Sequence, residues 1–239
     1  MKKLFVFLCA GFICTIAFAQ TISIDWKVDG RTYAQNTCEY GGMLSVPNPP
    51  PTKYGYTFQG WIQYTQLEYI ESTGTQYIDT IITPDLDYTY NITFKATDSG
   101  WLFGSTVFSA GNHSDFGVSA TGIRFGNKYV TLDFVPMGKV SVSVNKTGYD
   151  INGVHTDWAG TATMSATSPI RLFWAVNSAA SKTGRIYSFS ITDANGDYVV
   201  NLVPVKRLSD NKFGMYDLVS HAFFANAGTG DFIAGPVVE

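Results

Sequence analysis

Glutamate is nearly missing from this chain: four occur among 239 residues, at Glu39, Glu68, Glu71 and Glu239. Glycoside hydrolysis needs two carboxyl groups roughly 5 to 9 Å apart across one cleft, so in most of this chain such a pair would have to be built from Asp. Histidine is almost as scarce, at His113, His155 and His221, and no serine stands in a Gly-x-Ser-x-Gly elbow. Nucleophilic catalysis is therefore left without a recognisable set of partners. No three or four His, Cys or acidic residues stand at zinc-ligand spacing. Charged residues make up only 15% of the chain, and 16 Lys+Arg against 19 Asp+Glu give a net charge of −3, which argues against a broad basic face for nucleic acid. The residues that favour helices do not dominate either.

What is present is apolar and aromatic: 45% hydrophobic residues, 15% Phe, Trp and Tyr, and 23 Gly. Disordered chains are poor in aromatics and rich in charge, so disorder is excluded. Thr, Ser, Tyr, Phe, Val and Gly suit strands and tight turns. The length allows one or two domains with a real core.

The first 19 residues, MKKLFVFLCAGFICTIAFA, read as an export signal. Lys2 and Lys3 form a positive start, Leu4 to Ile16 a short apolar run, and Ala17-Phe18-Ala19 a small-residue cleavage site. The run is shorter than the roughly 20 residues that span a bilayer. No later run is long enough, so no membrane insertion is expected after cleavage at Gln20, and the product is expected to be extracellular, on the cell surface or periplasmic. Cleavage leaves 14 basic and 19 acidic residues, a formal charge of −5, and one cysteine, Cys38. An internal disulfide is then impossible; Cys38 is either buried or available to pair between chains.

Residues 20–65 form a first unit. Ile22, Ile24, Trp26 and Val28 alternate with polar residues as in a half-buried strand, and Asp29-Gly30 offers a turn into a return strand from Arg31 to Cys38. Pro47 to Pro51 cannot join a central ladder. The run YGGMLSVPNPPPTKYGYTFQGW, and above all its ending Gly55-Tyr-Thr-Phe-Gln-Gly-Trp61, resembles the internalin-type B repeat of bacterial extracellular proteins. That resemblance implies a small β module.

Residues 66–239 read as strands punctuated by turns. Tyr88 to Thr97, Val140 to Val144 and Tyr187 to Thr192 each alternate with period two, the last placing Tyr187, Phe189 and Ile191 on one face. Val199 to Val205 is nearly continuous in apolar content, as if covered on both sides, although Pro204 demands an edge or a bulge. Gly126-Asn127, Asn152-Gly153 and Asn195-Gly196 supply hairpin turns. Ten or more such strands predict an all-β antiparallel sandwich or jelly roll. The opening LEYIESTGTQYIDT, together with NLVPVKR, GMYDLVS and FF-x-NAGTG near the end, is similar to a bacterial and phage branch of the concanavalin A-like (laminin-G-like) jelly rolls. The resemblance implies that first and last strands meet at the centre of one sheet, with Tyr69, Ile70, Tyr77 and Ile78 beside Phe189 and Val200. It implies function only weakly, because one sandwich carries lectins, hydrolases and scaffolds.

Laminarinase-type hydrolases of that fold carry Glu-x-Asp-x-x-Glu on one strand; Glu68-Tyr-Ile-Glu71 lacks the Asp, and i, i+3 positions face opposite ways on a strand. His155 reads as a solvated strand residue beyond a hairpin and His221 as a turn residue. Calcium finds candidate oxygens at Asp85 and Asp87 and along Asp193-Ala-Asn-Gly-Asp197, which an Asn-Gly turn with solvated Asp side chains also explains. No other cofactor or metal is expected. Glycan binding needs an aromatic wall beside a few directed polar groups. Trp158 flanked by Asp157, with Asn112, His113 and Asp115 as polar partners, meets that description; equally, Trp158 covers a sheet edge while Trp101 and Trp174 belong to the core. The expectation is an exported, non-enzymatic recognition protein for an extracellular glycan or surface protein. Its rivals are a spacer or display scaffold without soluble ligand and a divergent glycoside hydrolase.

Overall fold

The computed structural model describes residues 2–4, 8–9, 21–28, 31–39, 45–58, 64–97, 100–105, 116–164, 166–174 and 183–238. The cleavage site at 17–19, the Asp29-Gly30 turn, Gly41-Gly42 and Trp61 lie outside the described residues, as do Asn112, His113 and Asp115.

Near the N-terminus, β1 (Lys2–Leu4) and β2 (Leu8–Cys9) are followed by a hairpin of β3 (Thr21–Val28) and β4 (Arg31–Glu39), and then by β5 (Tyr56–Phe58). β1 pairs β5 in parallel, and β2 pairs β3. The expected alternation holds in β3, where Ile24 and Trp26 are buried and Ser23 is exposed. Tyr33 donates from its hydroxyl to the Pro49 carbonyl at 2.9 Å, tying the proline-rich segment to the hairpin.

The sandwich begins with β6 (Tyr64–Gln66), β7 (Ile70–Thr73), β8 (Ile78–Asp79), β9 (Thr89–Ala96) and β10 (Trp101–Ser105). β11 (Phe116–Ser119), β12 (Gly122–Phe125) and β13 (Lys128–Thr131) follow, then β14 (Lys139–Val144), β15 (Gly148–Ile151), β16 (Val154–Asp157) and β17 (Arg171–Leu172). β18 (Thr183–Thr192), β19 (Tyr198–Arg207), β20 (Phe213–Asp217), β21 (Phe223–Ala225) and β22 (Ile233–Ala234) complete it. The smaller sheet runs β13-β12-β11-β10-β17-β8. The larger runs β16-β15-β14-β9-β18-β19-β20-β21, with β7 on β18, β22 on β7 and β6 on β19. Both are antiparallel and stack as a sandwich consistent with a jelly roll. No helix among the described residues is long and apolar enough to cross a membrane.

Strand chemistry explains the layering. β9 buries Tyr90, Ile92, Phe94 and Ala96 and turns Thr89, Asn91, Thr93 and Lys95 outward. The two sheets are joined by rings: Phe103 of the smaller sheet meets Phe189 of the larger at 5.1 Å, and Tyr90 meets Phe116 at 4.2 Å. Such offset and edge-on pairs add to the burial of large apolar area. The buried Tyr90 hydroxyl donates to the Asp85 carbonyl and accepts from the Asp85 N–H, both at 2.7 Å, so no polar atom is stranded. Pro204 is accommodated where the neighbour of β19 changes from β18 to β6; its carbonyl on that side accepts from Leu67 N–H at 2.9 Å. The three Asn-Gly or Gly-Asn turns expected from sequence connect β12 to β13, β15 to β16 and β18 to β19.

Both ends of the sandwich meet, as expected. Ile70 and Glu71 of β7 pair with Ala234 and Ile233 of β22, and Leu67 bridges Val237. The Thr75-Gln76-Tyr77 stretch docks on Asn226 to Thr229: Thr229 N–H donates to Thr75 O, Ala227 N–H to Tyr77 O, and Tyr77 N–H to Asn226 Oδ1. Gly228 is required there, because a Cβ would lie 2.0 Å from Thr75 O. Two expectations need correction. Ile70 and Ile78 are buried, but Tyr69 and Tyr77 are half-exposed. Trp101 and Trp174, read as core, are half-exposed as well: Trp101 opens β10 ahead of the buried Leu102 and Phe103, and at Trp174 Phe173 beside it adopts φ +63° and turns the chain so that Leu172 and Phe173 are both buried.

Candidate functional site

The outward face of the larger sheet gathers a set of side chains that no local segment contains. Glu71 of β7 stands opposite Arg185 of β18, Arg185 opposite Lys95 of β9, and Lys95 opposite Lys139 of β14. Strands lie roughly 4.8 Å apart, so the row extends about 15 Å. Its neighbours Ile70, Ile186, Phe94 and Val140 point inward and are fully buried, which forces the charged residues outward. Beyond the row the same face is polar, with Thr93 and Ser141 sharing a hydrogen bond at 3.0 Å and Asn91, Ser143 and Ser190 following, and it becomes charged again where Asp150 of β15 stands opposite Ser143 and His155 of β16 opposite Asp150.

Two tyrosines complete the site, each placed by a specific local feature. Between Ile186 and Ser188 the pairing of β18 with β9 slips by one residue, passing from Ile186–Phe94 to Ser188–Thr93. Tyr187 is the extra residue of this bulge, so it shares the outer face with Arg185 instead of the core face with Phe189, which corrects the alternation read from sequence. Bulges commonly re-aim a side chain in this way. Tyr69 lies over Gly235, where a Cβ would come within 2.8 Å of its ring. The two rings meet edge-on at 5.3 Å. Arg185 lies 4.4 Å over the Tyr69 ring and Lys139 4.2 Å over the Tyr187 ring, in the range of cation–π attraction. Arg185 Nε donates to Glu71 Oε2 at 2.6 Å, and this bond is the main cause that raises the guanidinium above its ordinary value.

A smaller assembly of the same type lies on the other sheet. Arg171 Nε pairs with Asp79 Oδ2 at 3.1 Å, and the guanidinium covers Trp174 at 4.6 Å and Tyr77 at 5.3 Å. Two non-glycine residues with left-handed backbone flank it, Phe173 at φ +63° and Ile81 at φ +58°.

The residues singled out from sequence divide. Trp158 is half-buried, packs on Tyr149 at 4.8 Å and donates its indole N–H to Asn145 O at 2.9 Å; these are the contacts of a ring covering a sheet edge. Asp157 is exposed and accepts or shares a proton with His155 Nε2 at 3.2 Å, while His155 Nδ1 meets Asp150 Oδ2 at the same distance. His221 occupies the β20–β21 turn at φ +59°. Asp193 oxygens receive the N–H groups of Asn195 at 2.8 Å and Asp197 at 3.0 Å, which hold its carboxyl below the usual range and make it the keystone of its own turn. Asp85 Oδ1 accepts from Asp87 N–H, and Asp87 pairs with Lys146. Among the described residues no group of three or more His, Cys, Asp or Glu is arranged to hold a metal. Glu71, half of the only close glutamate pair in the sandwich, is held by Arg185. The backbone of Cys38 lies in β4 opposite Ile22. Compared with known proteins, the chain matches no family model, no curated protein and no solved structure.

Proposed function

We propose that this chain is an exported, non-enzymatic recognition protein that binds an extracellular glycan, or mediates adhesion, through the outer face of its larger sheet. The observation that carries the reading is the Tyr69–Tyr187 pair with Arg185 and Glu71 fixed beside it. Aromatic bodies adjoining a few oriented polar groups are what saccharide sites are made of, and a rigid strand platform holds them better than a loop. The sandwich is read as a concanavalin A-like (laminin-G-like) jelly roll and the N-terminal segment as an internalin B-repeat-like module. The meeting of the STGTQYIDT and NAGTG motifs supports the first reading. The Ile22–Cys38 hairpin tied to the proline segment supports the second. Hydrolysis is disfavoured because Glu71 is already engaged by Arg185 and no second carboxylate faces it in the row.

A glycan array probed with the chain recovered after export, with and without calcium, tests this. Binding that Tyr187→Ala abolishes supports the proposed face, whereas silence across the array favours the scaffold. Sugar release from polysaccharides, lost in a single Asp→Asn variant, would replace the reading with an enzymatic one.

A further inference from the structure

Resting on that reading, the geometry points to an anionic glycan, one bearing carboxylate or sulfate groups, as the ligand of the larger sheet's outer face. Three cations, Arg185, Lys95 and Lys139, occupy directly opposed positions on adjacent strands. Like charges so placed repel one another and weaken a sheet. Only Arg185 has a carboxylate partner, Glu71; among the described residues Lys95 and Lys139 have no anionic partner. The patch therefore carries a local charge of +2 on a chain whose net charge is −3. An approaching polyanion supplies the missing countercharge.

The rings sharpen the choice between neutral and anionic sugars. A ring that stacks on a neutral pyranose presents a bare face. Here Arg185 covers a face of Tyr69 and Lys139 covers a face of Tyr187. The tyrosines thus act chiefly as supports that orient cations, and the cationic tips meet the ligand first. A planar guanidinium suits a carboxylate or sulfate, and its Nε is already fixed by Glu71. The ammonium groups add charge without geometric demand. A linear polysaccharide laid across β18, β9 and β14 would meet the cations in succession, with the Thr93 and Ser141 hydroxyls alongside the row. Duplex nucleic acid fits less well, because the row is short and ends in Glu71 on one side.

The test uses the full chain recovered after export and four probes: dextran sulfate, polygalacturonate, neutral dextran and duplex DNA. Dextran sulfate or polygalacturonate should bind, and which of them binds tighter distinguishes sulfate from carboxylate recognition. Raising salt to about 0.5 M should weaken binding by about tenfold or more. The double variant Lys95→Ser/Lys139→Ser should lose about tenfold in affinity, since each exposed charge contact contributes about threefold. Its melting temperature should stay the same or rise as the like-charge repulsion goes, and Lys212→Ser, on the β19–β20 turn outside the row, should bind as the parent does. Anionic binding that is indifferent to the double variant overturns the inference, and so does duplex DNA bound as tightly as the glycans. Neutral dextran or array glycans bound through Tyr187, without salt dependence, would overturn the anionic class while leaving glycan recognition standing. No glycan bound at all would overturn both.

Discussion

Tyr187 has no partner in β9: its neighbours Ile186 and Ser188 pair with the consecutive residues Phe94 and Thr93, and its ring turns outward to meet Tyr69 at 5.3 Å. A bulge costs ladder hydrogen bonds and is kept where it re-aims a side chain. Deleting Tyr187 closes the bulge and leaves Ile186 inward, Ser188 outward and Phe189 inward, as an unbroken strand would have them. The deletion variant should therefore fold, with a melting temperature close to that of the parent, yet weaken glycan binding as much as Tyr187→Ala does. Tyr187→Ala itself should cost about 1 kcal/mol or less, because the ring is half-exposed. Thermal melting and array binding of both variants decide the matter; unfolding of the deletion variant would show the bulge to be structural.

The bulge also marks the limit of what the sequence discloses. Period-two runs revealed the strands because burial of one face imposes that period, and the Asn-Gly and Gly-Asn turns revealed their connections. The same rule misplaced Tyr187, since a one-residue slip is invisible in a sequence that alternates on both sides of it. Trp174 escapes the pattern for a related reason: the left-handed backbone of Phe173 follows from its tertiary setting, which Arg-Leu-Phe-Trp does not announce. Glu71 and Arg185 lie 114 residues apart, and their contact follows only once β7 is known to lie on β18. Trp158, by contrast, stands out in the sequence as a lone aromatic beside an Asp, but its indole N–H is committed to the Asn145 carbonyl.

Ile81 carries a testable strain. It is a β-branched residue at φ +58°, with 77% of its surface exposed. Left-handed backbone costs a non-glycine residue about 1–2 kcal/mol, and so exposed a side chain returns little through burial. Asn tolerates the conformation better, so Ile81→Asn should stabilise the chain by about 0.5–1 kcal/mol in a urea denaturation series. A destabilised variant would mean that the Ile81 side chain makes an apolar contact worth more than the strain.

Two turn glycines, both at positive φ, should respond very differently to alanine. Gly126, at φ +59°, would place a Cβ 1.4 Å from Thr163 O, and Asn127 next to it exchanges backbone and side-chain hydrogen bonds with Thr163. Gly153, at φ +83°, has nothing within 4 Å of the same position. Gly153→Ala should cost about 1–2 kcal/mol from backbone strain alone. Gly126→Ala must also push the strand-crossing segment away and should cost more than about 3 kcal/mol. Equal losses in the two variants would refute the close packing of the 161–164 segment on the β12–β13 turn.

His155 gives the chain a pH dependence whose sign can be worked out. Asp150 and Asp157 grip opposite nitrogens of the ring, and these bonds, Asp150 first, raise its pKa above the ordinary 6.5. A raised folded value means that the interaction stabilises the fold fully below the unfolded pKa of about 6.5 and is lost as pH climbs through the folded one. Asp210 acts in the opposite direction: the Arg207 hydrogen bond draws its carboxyl down to about 2, so its contribution is present above the ordinary carboxylate value and fades as pH falls toward 2. Both groups lie at the surface, where solvent screens them, so the slopes should be shallow. Stability should therefore climb from pH 2 to about 4 and decline gently above about 6.5. His155→Gln should remove the upper decline and leave the acid limb, whereas Arg207→Gln should keep the upper decline and flatten the acid limb by the share of Asp210, leaving that of Asp193. An imidazole proton titration of His155 with its midpoint at or below 6.5, or one unmoved by Asp150→Asn, would contradict the cross-strand clasp on the β15–β16 hairpin.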